Sequence, residues 1–315
     1  MLAWLKINII MPKNNKQVVL IAGGSGLVGG RLIHMLDKHK YEIVVLTRNQ
    51  NVQSRNTINY VVWNTEMDYI ESIPSPDHII NLAGAGIADE RWTENRKRLI
   101  VKSRVDSAKT IKTYLTKHKI KPLTYIASSA VGYYGDRKAE LLTEKSKPGV
   151  GFLSECCIQW ENEAKAVGNL CERNVILRLG IVISNKGGAL PKMLMTKRFG
   201  ILNYFGNGRQ YYPWIHIDDL CRMIIQSIEN NDYRGIYNAV SPQQITNKQM
   251  MEEIIETNSM NAILIPIPVF SLRLLMGEMA NVVLNSNRVL SDKIINTGFK
   301  FHYTNIGKAV KSLLE

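Results

Sequence analysis

The pattern Gly23-x-x-Gly26-x-x-Gly29, set directly after the apolar run Val18-Val-Leu-Ile21, constrains what this chain can fold into more than any other feature. Four consecutive apolar residues suit a strand covered on both faces, as in a parallel sheet, and Leu27, Val28, Leu32, Ile33 and Leu36 then recur at helical spacing. The period therefore changes from strand to helix across the glycines. One glycine serves the tight turn, one lets backbone approach a pyrophosphate, and one allows the helix to pack closely on the strand. Free N–H groups and the positive end of the helix dipole then face an anion. A mononucleotide cradle is the expectation, with Gly23, Ser25, Gly26, Leu27, Val28 and Gly29 as its contacts.

The rest of the chain repeats the alternation. Residues 41–47 read as a second strand ending at Arg48, where an acidic residue would hold the ribose 2′-OH of NAD and an arginine suits a 2′-phosphate. Residues 59–63 form a third strand, with Asn64 placed to border an adenine pocket, and residues 78–81 a fourth, ending in Asn81 and the small residues Ala83, Gly84 and Ala85. A long helix is predicted over 93–118, because Val101, Val105, Ala108, Ile111 and Leu115 share a face. A fifth strand over 123–129 ends in Ser128 and Ser129; a helix over 154–172 and a sixth strand over 174–183 follow. This rhythm predicts an α/β fold, a Rossmann-type doubly wound parallel sheet. From Gly187 it gives way to loops and short elements, with an amphipathic helix over 271–284, which suggests a smaller C-terminal substrate lobe. The expected division is an N-terminal extension over 1–16, a cofactor-binding domain over 17–186, and a region over 187–315 that is mainly substrate lobe and partly returns to the core.

With 315 residues, 45% of them hydrophobic, the chain has ample material for a sizeable core. Its net charge of +13 favours anionic partners such as phosphate-bearing cofactors or substrates. The basic residues are scattered and accompany no nucleic-acid motif, so nucleic acid is not an expected partner. The densest basic run, from Arg91 to Arg104, reads as a solvated helix face. Cys156, Cys157, Cys171 and Cys221 have neither metal-ligand spacing nor the density of a disulfide scaffold, so no metal is expected and a reducing compartment, the cytoplasm, is. No apolar run approaches the roughly 18 residues of a membrane span. The opening residues 1–10 lack the basic start and the small-residue cleavage site of a signal peptide, and Met11 is an equally good start.

Several strings in order carry a resemblance: the glycine pattern, Asn81-Leu-Ala-Gly84, Ala88-Asp-Glu-Arg91-Trp92-Thr93, Ser129-Ala-Val-Gly132-Tyr-Tyr134-Gly135-Asp136, Gly187-Gly-Ala-Leu-Pro191, Gly206-Asn-Gly-Arg209 through His216, Asp218 and Asp219, and Gly277-Glu278-Met279-Ala280. Over roughly residues 17–313 the chain resembles an extended short-chain dehydrogenase/reductase of the atypical, nucleoside-diphosphate-sugar-epimerase-like "epimerase family protein" subgroup. The resemblance implies NADP(H) lying across the sheet, with the glycine loop on the pyrophosphate and Arg48 on the 2′-phosphate. It places Ala83, Gly84 and Ala85 beside the adenosine, the end of the fifth strand with Ser128 under the nicotinamide, and residues 187–216 over a pocket for a small substrate.

Ordinary members use a serine, a tyrosine and a lysine four residues after it, whose charge lowers the phenol pKa for proton exchange with a substrate hydroxyl. Ser129 can fill the serine's place. Counting back from Glu161, the tyrosine and lysine positions fall at Leu153 and Cys157, or at Phe152 and Cys156, and neither alternative supplies the pair. Tyr134 and Lys138 have the spacing but enclose Gly135 and Asp136, which suggests a turn. Tyr134 and Glu155 stand as further catalytic candidates, Tyr133 and His216 as substrate contacts, and Asp218 and Asp219 as the N-cap and first-turn acid of the helix from Leu220. Two functions follow: an oxidoreductase or epimerase with unconventional proton transfer, or a catalytically degenerate protein that senses NADPH.

Overall fold

The computed structural model describes residues 16–54 and 58–315; the expected N-terminal extension, up to residue 15, lies outside the described residues. The first half alternates as predicted: β1 (Gln17–Ala22), α1 (Leu27–Met35), β2 (Tyr41–Thr47), β3 (Ile58–Asn64), a short β4 (Tyr69–Ile70), β5 (His78–Asn81), α2 (Glu94–His118) and β6 (Thr124–Ala130). A short β7 (Leu141–Leu142), α3 (Phe152–Gly168) and β8 (Arg173–Leu179) follow. Next come β9 (Ile181–Ile183), α4 (Ala189–Met193), β10 (Ile201–Phe205), β11 (Trp214–His216), α5 (Ile217–Glu229) and β12 (Gly235–Ala239). The chain closes with α6 (Asn247–Thr257), β13 (Ile263–Ile267), α7 (Val269–Met276), α8 (Asn281–Leu284), β14 (Arg288–Val289), α9 (Asp292–Ile295) and α10 (Ile306–Leu314).

The central sheet has eight strands in the order β12-β8-β6-β5-β1-β2-β3-β4, parallel except for the edge pair β3–β4. Strand order reverses at β1: Ala22 is opposite Leu46 on β2 and Asn81 on β5. In a doubly wound sheet the crevice for a ligand opens there, beyond the carboxyl ends of the strands. Both faces are covered, which is why the strands read as continuous apolar runs. Val19, Ile21, Ile43 and Val45 join Leu32 and Leu220 on one face, while Leu20, Val44, Ile79 and Ile126's neighbours Tyr125 and Ala127 join Ala108, Ile111 and Ala164 on the other. A separate core links Leu202, Trp214, Met250, Ile254, Ile306 and Val310 in the C-terminal region.

Three predicted boundaries moved. The single strand expected over 174–183 is broken at Gly180, where a Cβ would lie 2.7 Å from the carbonyl oxygen of Pro213; β8 stays in the main sheet and β9 pairs with β11. The helix expected over 154–172 runs instead from Phe152 to Gly168, with Ser154 in its first turn donating its hydroxyl to the carbonyls of Tyr133 and Gly149. The helix expected over 271–284 is interrupted at Gly277, whose φ of +60° no α-helix accommodates.

His78, at the start of β5, is buried edge-on to Tyr41, and neither ring nitrogen has a partner among the described residues. Burial pushes its pKa down to about 4, against a smaller opposing pull from Asp77. The fold therefore holds it neutral, and the stability this confers is complete above its ordinary pKa and lost as pH falls towards 4. The shift corresponds to about 3 kcal/mol. Chemical denaturation at pH 7 and pH 4 is expected to show a loss larger by about that amount in the parent than in His78→Leu; equal losses would mean the ring is protonated in the fold.

Candidate cofactor crevice and reaction cavity

The glycine turn is tied to its neighbours by close approach. Gly23 has φ +82°, and a Cβ there would lie 2.7 Å from the carbonyl carbon of Leu82. A Cβ at Gly29 would lie 2.3 Å from the Gly23 oxygen, so helix and turn are in direct backbone contact. Gly26 differs: it is the N-cap of α1, makes no side-chain cap, and a Cβ there would meet only the Gly23 oxygen, at 3.3 Å. Open space lies on its other side, because Ser25 and Gly26 line two cavities. One continues through Leu46, Thr47, Arg48, Trp63, Thr65 and residues 82–86. The other continues through Leu27, Arg31, residues 184–187, His216 and Tyr303.

Of the residues expected around the crevice, Gly23, Ser25, Gly26, Arg48, Ala83, Gly84 and Ala85 line the first cavity together, and Leu27 lines the second. Asn64 does not line either: its carboxamide accepts from the backbone N–H groups of Glu66 and Met67 and closes a turn, leaving the border to Trp63 and Thr65. Asn81 is buried behind the crevice, donating to Ser107 and Tyr125 and accepting from the N–H of Ala83, so it shapes the loop from within. Ser128 is likewise inward, donating to the Asn81 carbonyl, and Val28 packs against the core.

His216 was expected to touch substrate, but it sits on the glycine-loop side. Its Nδ1 accepts from the N–H of Asp218, making His216 itself the N-cap of α5, and its ring stacks on Tyr303 at 3.8 Å. Nε2 is buried without a partner among the described residues. Burial lowers the ring's pKa, outweighing Asp218 and Asp219. Asp218, expected as the cap, is paired with Arg31, and Asp219 accepts from the N–H groups of His302 and Tyr303.

An inner cavity of about 170 Å³ opens beyond the end of β6, lined by Ala130, Val131 and Gly132, by Leu153, Cys156, Cys157 and Trp160 of α3, and by Ile87, Arg104, Tyr211, Tyr212 and Asn281. Of the two alignments left open by the resemblance, Leu153 and Cys157 face this space together, one turn apart, whereas of Phe152 and Cys156 only Cys156 lines it. Burial raises both adjacent thiols, Cys157 to about 12, so neither is a ready nucleophile at neutral pH.

The three residues expected to do chemistry are elsewhere. Ser129 and Arg178 are opposite each other on β6 and β8, so their side chains leave the same face of the sheet. There Glu161 accepts from Ser129 Oγ at 2.8 Å and from Arg178 Nε and Nη2 at 2.7 and 2.9 Å. Tyr134 donates to Asn238 at 2.6 Å and accepts from Arg178 at 3.0 Å, and burial pushes its phenol up to about 12 against the pull of Arg178. The Arg178 guanidinium lies 3.5 Å from the centre of the Tyr133 ring. Ser129, Tyr133 and Tyr134 therefore enclose a buried ion pair and line none of the cavities described above. Lys138 is exposed with φ +55° and pairs with Asp136, so the Tyr134/Lys138 spacing brings no ammonium to the phenol. Glu155 is exposed in the first turn of α3, a partner for the helix dipole.

Among the cavity residues missed by the sequence reading are Tyr211 and Arg104. Tyr211 presents a half-buried ring to the inner cavity from a stretch with no periodicity to reveal its direction. Arg104 was assigned to a solvated face, yet it follows Ile100 and precedes Ala108 by four residues each, which puts it on the buried stripe of α2. That spacing was the available signal.

Among the described residues no helix is long and apolar enough to cross a membrane, and no group of three or more His, Cys, Asp or Glu residues is arranged to hold a metal. Residues 19–239 match the NAD dependent epimerase/dehydratase family and residues 267–313 match a domain of unknown function. An epimerase family protein of Staphylococcus saprophyticus is 36% identical over 297 residues, 94% of this chain and 98% of its own length. The epimerase family protein YfhF of Bacillus subtilis is 33% identical over 298 residues, covering 94% and 97%. The crystal structure of human epimerase family protein SDR39U1 with NADPH superposes with a TM-score of 0.85 at 27% identity, covering 94% of this chain and 99% of that one. The UDP-glucose 4-epimerase of Thermotoga maritima shares the fold, with a TM-score of 0.72 at 16% identity over 95% of this chain and 100% of that one. This chain belongs to the NAD dependent epimerase/dehydratase family, as an atypical extended short-chain dehydrogenase/reductase.

Proposed function

We propose that the protein is an NADP(H)-dependent oxidoreductase or epimerase acting on a small or sugar-nucleotide-like substrate. One observation carries the reading: Arg48, at the end of β2, lines the same cavity as Gly23, Gly26 and Ala83, and residues 46–50 contain no carboxylate. An arginine suits a 2′-phosphate where NAD would call for an acid. The fit extends to the turn, since the cavity space beside Gly26 is what a Cβ there would begin to fill. The human relative described with NADPH supports the same choice.

In this reading backbone N–H groups at the start of α1 hold the pyrophosphate, Trp63 and Thr65 border the adenine, and His216 offers Nε2–H to the phosphate side. A bound nicotinamide supplies hydride transfer. Ile87, Leu153 and Trp160 give the inner cavity apolar walls, and Tyr211 brings a phenol to it. A second reading, an NADPH sensor that does not turn over, rests on Leu153 and Cys157 facing this cavity in place of the usual pair.

Titration of the protein with NADPH and NADH tests the cofactor choice. Arg48→Ala is expected to weaken NADPH roughly tenfold to a hundredfold, the worth of a charge-assisted contact, and to leave NADH unchanged. Tighter NADH binding by the parent, or equal behaviour of parent and variant, would overturn it. NADPH oxidation across carbonyl compounds and sugar nucleotides separates the two readings, binding without turnover favouring the sensor.

A further inference from the structure

Three arginines are buried among the described residues, and two are accounted for. Arg178 is paired with Glu161, and Arg173 donates to the carbonyls of Ser227, Ile228, Asn230 and Tyr233. Arg104, 7% exposed, has no carboxylate partner there. Its Nη1 donates to the carbonyls of Ala85 and Ile100, at 3.0 and 2.9 Å, and its guanidinium lies 4.9 Å from the Trp160 ring centre. Nε is fully buried and without a partner.

A guanidinium binds a planar oxyanion side-on through Nε–H and one Nη2–H; in Arg104 Nη1 is used, Nε is closed off without a partner, and Nη2, neither bonded to protein nor fully buried, is the nitrogen an oxyanion meets first. A buried charge without a counter-ion costs several kcal/mol in general and persists where something repays it. The cavity that Arg104 lines has no acidic residue in its wall, so no side chain of the chain competes for this edge there. Its position is also held: a Cβ on Gly84 would lie 3.0 Å from Arg104 Cζ, so the crevice loop rests directly on the guanidinium.

We propose that Arg104 recognises a carboxylate on the substrate, so that the substrate class is a small carbonyl or hydroxy compound bearing a carboxylate. This rests on the oxidoreductase or epimerase reading for the word substrate; the anion site itself does not depend on it. A carboxylate is favoured over a phosphate because it is flat, matches the side-on edge with two coplanar oxygens, and slots between the apolar walls formed by Ile87, Leu153 and Trp160.

The test follows the Arg104 Nε–H resonance in the full-length ¹⁵N-labelled protein, assigned by its disappearance in Arg104→Lys. Acetate, malonate and inorganic phosphate are titrated separately, with and without NADP⁺, and NADP⁺ affinity is measured by calorimetry in the parent, Arg104→Lys and Arg104→Met. The expected result is a saturable shift with acetate or malonate in the parent, with binding of the same probe, read by calorimetry, weakened at least about tenfold in Arg104→Lys and absent in Arg104→Met, and NADP⁺ affinity unchanged in both variants. No shift with either carboxylate overturns the proposal, as does a shift with phosphate alone. A fall in NADP⁺ affinity on substitution, with no carboxylate binding, makes the occupant the cofactor and also overturns it. Should Arg104→Met not fold, Arg104→Lys keeps the charge and carries the comparison. Failure of the parent to bind NADP⁺ or NAD⁺ sinks the cofactor reading alone, because the carboxylate titrations are run on cofactor-free protein as well.

Discussion

Gly26→Val is expected to abolish nicotinamide-cofactor binding while leaving the fold intact. Gly26 is extended, with φ −77° and ψ 173°, a conformation valine adopts readily, and its Cβ would meet only the Gly23 oxygen at 3.3 Å. The branched side chain would project into the space shared by the two cavities at the start of α1. Losing two backbone contacts to a pyrophosphate at about 1.5–3 kcal/mol each weakens binding by more than about a hundredfold. Calorimetric titration with NADPH, beside circular dichroism and a melting curve, checks both halves of the expectation. The contrasting variant is Gly29→Ala, whose Cβ would lie 2.3 Å from the Gly23 oxygen and must disturb the turn itself. Normal NADPH binding by Gly26→Val would place the pyrophosphate elsewhere.

Arg178→Met is expected to destabilise the fold by about 3–5 kcal/mol, the cost of stranding a buried carboxylate. Glu161 would keep only Ser129 as a donor, and Tyr134 would lose the guanidinium that donates to its oxygen. Arg178 is held charged: burial opposes its charge, but the hydrogen bonds with Glu161 and Tyr134 outweigh it and raise the pKa. Removing both members in Arg178→Met/Glu161→Leu is expected to recover much of the loss, since no charge is then left in the core. Urea denaturation of the parent, the single variant and the double variant measures this. A single variant as stable as the parent would overturn this expectation. Because this network lines none of the cavities described, NADPH affinity at low temperature is expected to be unchanged.

The same network shows where sequence reading stopped. Ser129 lies at the carboxyl end of a strand, the general position for ligands, and the resemblance puts it in the serine's place, but neither says which way its hydroxyl points. Alternation along β6 decides which way the hydroxyl points, and the partner it finds there is set by register with β8 and by the docking of α3. Those pairings join residues 32 and 49 positions apart in the chain. A charged residue inside the run Val175-Ile-Leu-Arg178-Leu179 was a sign that a buried partner existed, without saying which. Arg104 differs, since helical periodicity places it on the buried stripe and only its membership of a basic run hid this. For Asn64 the residue type was informative in another sense: asparagine after a strand closes a turn as readily as it borders a pocket, and here its oxygen is spent on Glu66 and Met67.

By itself the sequence determined the glycine turn, the strand-to-helix alternation, the parallel sheet and the family, because each is written in spacings of a few residues that local sterics and one-sided burial enforce. It also determined that neither Leu153 and Cys157 nor Phe152 and Cys156 supply the expected tyrosine and lysine. Only the tertiary structure decided that Leu153 and Cys157 face one cavity, that Ser129 and Tyr134 are turned away into a buried ion pair, and that Arg104 reaches that cavity with its Nε unsatisfied. The physical reason is that a side chain's function depends on what lies opposite it. In this fold the opposite group comes from another strand or helix, brought there by crossover connections whose packing no local pattern records.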